Sequence, residues 1–174
     1  MPVHFAGSPC DMTEIKRVIN NKDINIIEDA AHALGAKYNN GKLVGCCEHS
    51  LMTIFSFHPV KAIALGEGGL ITTNNHSIYR RLLRLRSHGI NKLDDPLQKL
   101  NQAKTGDFYN QWYYEMQEIG YHYRITDIQC GLGRSQFKKL DKFLLKRKEL
   151  VKRYDEAFMR SKIFRPTQVE FRKN

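Results

Sequence analysis

Apolar and polar positions in the first ninety residues follow two periods, and these predict alternating helices and strands. A helical period predicts a helix in "DMTEIKRVINN" that begins after Asp11 as its N-cap. β-branched and apolar runs predict strands in "INIIEDA", "LMTIFSF" and "GLITTN". The helical period returns in "SIYRRLLRLRSHG", where Gly89 is expected to cap the C-terminus. The apolar stripe of the first predicted helix consists of Met12, Ile15, Val18 and Ile19.

The pattern of apolar positions in the second half of the chain predicts a loop followed by a helical segment. Residues 90 to about 118 have no clear period and contain the aromatic cluster "FYNQWYYEM". The segment from Thr126 to Phe158 has the strongest helical pattern, with Thr126 as its cap. Gly131 and Gly133 are expected to break or kink it early, giving two helices. We therefore expect a main domain over residues 1–135, with a substrate-side loop at 90–118, and a basic amphipathic helix over 136–174.

The order of these elements predicts an α/β fold with a mostly parallel sheet covered by helices. In such sheets, ligands bind beyond the carboxyl ends of the strands. Asp29 and Ser56 fall at two such ends, and Lys61 follows in the next loop. The pattern alone therefore predicts that these three residues converge.

Charge and composition limit the partners and the cellular location that the sequence predicts. The formal net charge is +10, but residues 134–174 carry 14 Lys and Arg against 5 Asp and Glu, so the excess is local. A basic tail of this kind favours a solvated helix face, or one that meets a further C-terminal domain, over a nucleic-acid partner. The sequence contains no apolar run of about 18 residues and no secretory signal, so we expect no membrane span and a cytoplasmic protein.

The cysteines do not predict a metal site. Cys46 and Cys47 stand near His49, but no second pair of ligands follows at a suitable spacing. We expect no metal and reduced thiols at all four cysteines.

The stretch "SFHPVKAIALGEGG" places one lysine between two turn-forming segments. A lysine amine becomes a covalent catalyst when it attacks an aldehyde to form an imine, as in pyridoxal phosphate enzymes. Such enzymes also need a carboxylate at the ring nitrogen and donors to the phosphate, and Asp29 and Ser56 are candidates. Taken singly, Lys61 could be a surface lysine, Asp29 a helix cap and Ser56 an ordinary turn serine.

Three motifs in order carry a resemblance: "EDAAHALGA", "FSFHPVKAIALGEGG" and "GYHYRITDIQCGLG". Together they resemble the DegT/DnrJ/StrS family of sugar-nucleotide aminotransferases. The resemblance implies the large domain of the pyridoxal-phosphate fold type I, typified by aspartate aminotransferase. It implies transfer of an amino group from glutamate to a UDP-linked 4-keto-6-deoxy-N-acetylhexosamine, by a homodimer.

By position in these motifs, the resemblance assigns the residues around the cofactor. It implies that Lys61 binds pyridoxal 5′-phosphate covalently and carries the proton during the reaction. Asp29 becomes the partner of the pyridine nitrogen, and Ser56 becomes a phosphate ligand. His32 takes the place where the family has Gln or His near the phenolic oxygen.

The resemblance extends less directly to three more residues. His58 is either a structural histidine or a substrate-side group, and Arg124 is expected to anchor the segment that borders the site. The family motif reads G-Y-N-Y-R, whose Asn contacts the cofactor phosphate of the neighbouring subunit, whereas this chain has His122 there.

The family pattern also begins upstream of "PVHFAG" and continues beyond "YDEAF", so we expect this chain to correspond to the central part of a longer enzyme and to have little or no aminotransferase activity by itself. The alternative is a non-catalytic remnant, or a binding module that uses the basic C-terminal helix. A visible absorbance band with added cofactor would separate the two hypotheses.

Overall fold

The computed structural model describes residues 1–20, 23–91, 96–159 and 161. Within them the chain forms two compact units, one of residues 1–74 and 126–174 and one of residues 75–125. The helices are α1 (Met12–Ile19), α2 (His76–Leu85), α3 (Leu100–Ala103), α4 (Asp127–Phe137) and α5 (Leu140–Phe158). The strands are β1 (Ile27–Asp29), β2 (Met52–Ser56), β3 (Gly69–Thr72), β4 (Ile90–Asn91), β5 (Lys104–Thr105), β6 (Phe108–Tyr109) and β7 (Glu115–Met116).

The first unit is built on a mixed sheet in the order β1-β2-β3. Strands β1 and β2 are parallel, with Asp29 opposite Ile54. Strand β3 runs antiparallel to β2, with Gly69 opposite Ser56. A further parallel bridge joins Val3 to Asp29, on the other side of β1. The predicted α/β class with parallel strands is confirmed, with β3 as an antiparallel member.

Helix α1 forms for the local reasons that its sequence predicts. The Asp11 side chain accepts a hydrogen bond from the Glu14 N–H, and Asn20 ends the helix in the left-handed conformation with φ 45°. The predicted stripe is wrong at Val18, which is 65% exposed. The helix packs by its other apolar residues onto the core of the unit, which consists of Met12, Ile26, Ala30, Ala33, Tyr38, Val44 and Phe55.

Helices α4 and α5 also belong to the first unit. Thr126 caps α4 by a capping box with Gln129, as the sequence predicts. The predicted division into two helices is confirmed, but the break lies between Phe137 and Leu140 and not at the glycines, because α4 continues through both. The N-terminal part of α5 packs on the turn at Gly35, where an added Cβ would lie 2.5 Å from a methyl carbon of Leu144.

The second unit combines α2 with short antiparallel pairs, β4 with β7 and β5 with β6. Helix α2 ends at Leu85, four residues before the predicted cap at Gly89, and the intervening His88 adopts φ 61°. Residues 96–118 of the predicted loop contain α3 and three of these strands, while Asp94 and Asp95 lie outside the described residues. In the described part of the chain, no helix is both long and apolar enough to cross a membrane.

Candidate active site

Asp29 and Ser56 end adjacent parallel strands on the same face of the sheet. Asp29 pairs with Ile54, and Ser56 lies two residues farther along β2, so the pleat directs all three to one side. Burial agrees with this assignment: Thr53 and Phe55 are buried on the other face, whereas Ser56 and Asp29 are half-buried. The structure therefore places a carboxylate and a hydroxyl at the carboxyl edge of the sheet.

Lys61 lies in the segment that joins β2 to β3, residues 57–68, which we call the lysine turn. Hydrogen bonds within the segment hold it: the Lys61 N–H donates to His58 O at 2.9 Å, and the Phe57 N–H donates to Gly68 O at 2.9 Å. The Lys61 side chain is half-buried. Among the described residues, its ammonium group has no hydrogen bond or ion pair, so the amine is available to a ligand.

The Asp29 backbone lies between β2 and Val3 in the sheet, and only one of its carboxylate oxygens has a hydrogen-bond donor among the described residues. One carboxylate oxygen accepts a hydrogen bond from the Ala31 N–H at 3.0 Å. This is the capping contact of the alternative interpretation, but residues 31–36 form turns and not a helix. Within the described residues the second oxygen has no donor. A positively charged or N–H group of a ligand could bind there.

Ser56 has a hydroxyl hydrogen to offer. Its Oγ accepts from the His58 N–H at 3.3 Å, which leaves the O–H free to donate. Its partner across the sheet is Gly69, which has no side chain to cover it. The hydroxyl therefore lies at the start of the lysine turn, with its hydrogen available to a ligand.

The His32 ring has one nitrogen committed to the backbone. Its Nδ1 lies 3.2 Å from the Ala6 nitrogen and accepts that N–H. In the neutral ring the proton is therefore on Nε2, which is a donor. The ring also packs edge-to-face against Phe5 at 5.7 Å.

The His58 ring is used inside the lysine turn. Its Nδ1 accepts from the Val60 N–H at 3.3 Å, and its Nε2 lies 3.9 Å from the Glu67 carboxylate. These contacts support the structural interpretation of His58.

His122 and Arg124 belong to the second unit. His122 forms an antiparallel bridge with Ser87, and its ring lies edge-to-face with that of His88 at 5.4 Å. Both His122 and Arg124 are exposed. The five residues on the first unit are Asp29, His32, Ser56, His58 and Lys61.

Helix α4 supports the lysine turn, a contact that sequence reasoning missed. The Gln129 side chain donates to Glu67 O at 3.0 Å. One turn later, Gly133 is buried against Leu65, and an added Cβ would lie 2.7 Å from a methyl carbon of that leucine. A glycine in the middle of a helix that follows a capping box indicates such a close approach.

A buried carboxylate next to Asp29 was also missed. Glu28 is 1% exposed and accepts hydrogen bonds from His4, Tyr38, Ser50 and Thr53. Burial alone would raise the pKa of Glu28, but the hydrogen bonds from His4, Ser50 and Tyr38 lower it to about 2. The strand period is the sequence signal for its burial. Glu28 shares the alternation of Ile26 and Ala30, and both of these apolar residues belong to the core.

Comparison with known proteins gives a consistent result. The chain is 39% identical over 168 residues to the UDP-4-amino-4,6-dideoxy-N-acetyl-beta-L-altrosamine transaminase of Campylobacter jejuni subsp. jejuni serotype O:23/36, which covers 97% of this chain and 40% of that protein. The chain thus spans about two fifths of the length of this curated relative.

Solved structures share the fold. PseC of Helicobacter pylori, an aminotransferase involved in the biosynthesis of pseudoaminic acid, matches with a TM-score of 0.78 and 30% identity, over 92% of this chain and 38% of that one. The PLP-form of the sugar aminotransferase Spr1654 from Streptococcus pneumoniae matches with a TM-score of 0.72 and 30% identity, over 92% of this chain and 41% of that one. Residues 1–174 match the family model as a whole, and the chain belongs to the DegT/DnrJ/EryC1/StrS aminotransferase family.

Proposed function

We propose that this chain carries the cofactor-binding lysine of a pyridoxal-phosphate-dependent sugar aminotransferase. The observation that carries the proposal is the placement of Lys61 directly after two parallel strand ends that present Asp29 and Ser56 on one face. Membership in the family and the likeness to an enzyme solved in its PLP-form support it.

Three side chains have groups without a partner among the described residues, and the chemistry of these groups matches that of pyridoxal phosphate. Lys61 has an amine with no anionic partner among the described residues, and Asp29 has one carboxylate oxygen without a donor there. Ser56 has a free hydroxyl hydrogen beside a glycine. An amine for the aldehyde, an acceptor for a protonated ring nitrogen and a donor for the phosphate are the three groups that the cofactor requires.

When bound, pyridoxal phosphate supplies the electron-accepting ring that allows an amino group to move between an amino acid and a keto sugar. Lys61 would hold the cofactor covalently through its Nζ, and the same amine, once the amino substrate has displaced it, would carry the proton at the reacting carbon. The Asp29 carboxylate would hold the protonated ring nitrogen, Ser56 Oγ would donate to the phosphate, and His32 Nε2 would donate to the phenolic oxygen.

The finer proposal concerns the substrates. We assign glutamate as amino donor and a UDP-4-keto-6-deoxy-N-acetylhexosamine as acceptor, in nucleotide-sugar and polysaccharide biosynthesis. The support is the identity to the Campylobacter transaminase and the fold shared with PseC. From their positions in the family motif, we propose that Arg124 anchors the segment that borders the site and that His122 takes the place of the family Asn that contacts the phosphate of the neighbouring subunit in a homodimer.

Covalent trapping tests the assignment of Lys61. Borohydride reduction of the protein with pyridoxal phosphate should fix the cofactor to the peptide that contains Lys61, and Lys61→Ala should abolish the label. Lys142→Ala, an exposed lysine of α5, is the matched control and should label normally. Full labelling of the Lys61→Ala protein would reject the proposed function.

Product analysis tests the substrates separately. With glutamate and the UDP-linked 4-keto sugar, an enzyme reconstituted with this chain as its central part should form the 4-amino sugar and 2-oxoglutarate. Labelling at Lys61 without this product would leave the cofactor site in place and reject the substrate assignment.

A further inference from the structure

Glu28 is tied to four separate segments of the chain. His4 Nε2 donates at 2.8 Å from the segment before α1, and the Tyr38 hydroxyl donates at 2.5 Å from the loop after β1. The Ser50 hydroxyl donates from the turn before β2, and Thr53 Oγ1 lies at 3.2 Å within β2. The carboxylate therefore connects β1 to both of its neighbours in the sheet.

The hydrogen-bond pattern determines the charge of this cluster. His4 Nδ1 accepts the Cys10 N–H at 3.0 Å, so this nitrogen carries no proton. His4 is thus the neutral tautomer with its hydrogen on Nε2, where it donates to Glu28. Glu28 is then an anion stabilised by four donors and not by a buried cation.

The same segments hold the backbone of Asp29. The Asp29 N–H donates to Pro2 O at 2.9 Å, and the His4 N–H donates to Asp29 O at 2.9 Å. The next amide, that of Ala30, donates to Ile54 O at 2.8 Å. His4 therefore contacts both Glu28, through its side chain, and Asp29, through its backbone.

We propose that Glu28 is a positioning residue, which holds β1 between its neighbours so that the Asp29 carboxylate stays in register with the cofactor's ring nitrogen. The inference rests on the proposed function. Glu28 is buried on the face opposite Asp29, so it acts through the backbone and not by contact with the cofactor.

A double-mutant cycle tests this role, with the dissociation constant of pyridoxal phosphate as the readout. Glu28→Gln keeps the shape of the side chain but replaces an acceptor oxygen by a donor. It should weaken cofactor binding about tenfold when Asp29 is present and less than about twofold in the Asp29→Asn background. Glu14→Gln, at an exposed glutamate of α1, is the matched control and should leave the dissociation constant unchanged.

A milder variant covers the case in which Glu28→Gln does not fold. Tyr38→Phe removes one donor and keeps the carboxylate. It should weaken binding by about two- to threefold, again only when Asp29 is present. An equal loss in both backgrounds would show that the cluster contributes general stability, and it would overturn the inference.

Amide hydrogen exchange in the cofactor-free protein provides a readout that does not depend on the cofactor. Glu28→Gln should accelerate exchange at His4, Asp29 and Ala30 more than at Ile15 in α1. Uniform acceleration would contradict the positioning role. Absence of Lys61-dependent cofactor binding in the wild-type protein would reject the proposed function and this inference together, whereas binding without the coupling would reject only the inference.

Discussion

Glu28 and Asp29 are adjacent carboxylates with opposite environments. The strand alternation directs Glu28 into the buried face, where four donors surround it, and Asp29 to the half-buried face, where one oxygen has no donor among the described residues. A satisfied buried carboxylate stabilises the fold, whereas a partly satisfied one at a strand end can bind a ligand. The two residues therefore lead to different predictions.

Asp29→Asn should leave the cofactor bound to Lys61 but slow transamination in an enzyme reconstituted with this chain. The amide cannot stabilise a protonated ring nitrogen, so we expect a rate decrease of about 100-fold or more, equivalent to about 2.7 kcal/mol. The release of 2-oxoglutarate from glutamate in a single turnover measures it. Asp141→Asn on α5 is the control, and a normal rate in the Asp29 variant would leave Asp29 only as the cap of the turn at Ala31.

Glu28→Gln should lower the free energy of unfolding at neutral pH by about 1–3 kcal/mol, because buried donors lose their acceptor. The folded-state pKa of Glu28 is about 2, below its ordinary value of 4.5, since the hydrogen bonds outweigh the effect of burial. The contribution of the carboxylate is therefore complete above pH 4.5 and is lost as the pH falls through about 2.

Urea unfolding at several pH values checks this expectation. The difference between wild type and Glu28→Gln should shrink as the pH falls from 4.5 to about 2. Glu115 in the second unit also has a pKa of about 2, but it is present in both proteins and cancels in the difference. A difference that is independent of pH would show that Glu28 is not ionised in the folded protein.

At the scale of elements, α4 supports the lysine turn. Its capping box sets where it begins, and its side chain at Gln129 binds the backbone of Glu67. Two glycines lie in the helix with different surroundings. Gly133 is buried against Leu65, whereas Gly131 has no atom of another residue near its Cβ position.

This contrast provides a matched pair of substitutions. Gly131→Ala should stabilise the protein by up to about 1 kcal/mol, because alanine has the higher helix propensity. Gly133→Ala should destabilise it by about 1–3 kcal/mol, because the new Cβ overlaps Leu65 and moves α4 away from the lysine turn. Thermal unfolding of both variants measures the effect, and equal stabilisation by both would contradict the packing of α4 on Leu65.

At the scale of the molecule, the surface of α5 combines positive charge with apolar side chains. The chain carries a net charge of +10, concentrated after residue 133. Five large apolar residues of α5 are each more than two fifths exposed, and two of them stack with ring centroids 6.1 Å apart. They are Leu145, Leu150, Val151, Tyr154 and Phe158.

We expect this apolar surface to cause concentration-dependent self-association that strengthens with salt, because salt screens the repulsion between like charges. Replacing both Tyr154 and Phe158 by Ser should weaken it about tenfold or more, since burial of each large apolar side chain contributes about 1.5–3 kcal/mol. Sedimentation velocity measures the effect. Lys148→Ser on the same helix is the control, and an unchanged association in the double variant would exclude this surface.

The sequence by itself determined the features that depend on near neighbours. The sequence predicts Asp11 and Thr126 as N-caps, and in the structure each side chain accepts the N–H of the residue three positions later. The strand ends at Asp29 and Ser56, and the turn around Lys61, followed from apolar runs that stop at polar residues. The family resemblance followed from motifs whose order along the chain is readable without coordinates, and the family match confirms it.

Only the tertiary structure decided which distant residues meet. Val18 has the helical period of a core residue but is 65% exposed, and Gly133 has a low helix propensity but allows a close approach of α4 to Leu65. The partners of Glu28 come from as far as His4 and Thr53, so local pattern could not identify it as a satisfied buried anion. Packing between segments remote in sequence sets these environments. The local sequence pattern identifies one residue of each contact but not the partner it packs against.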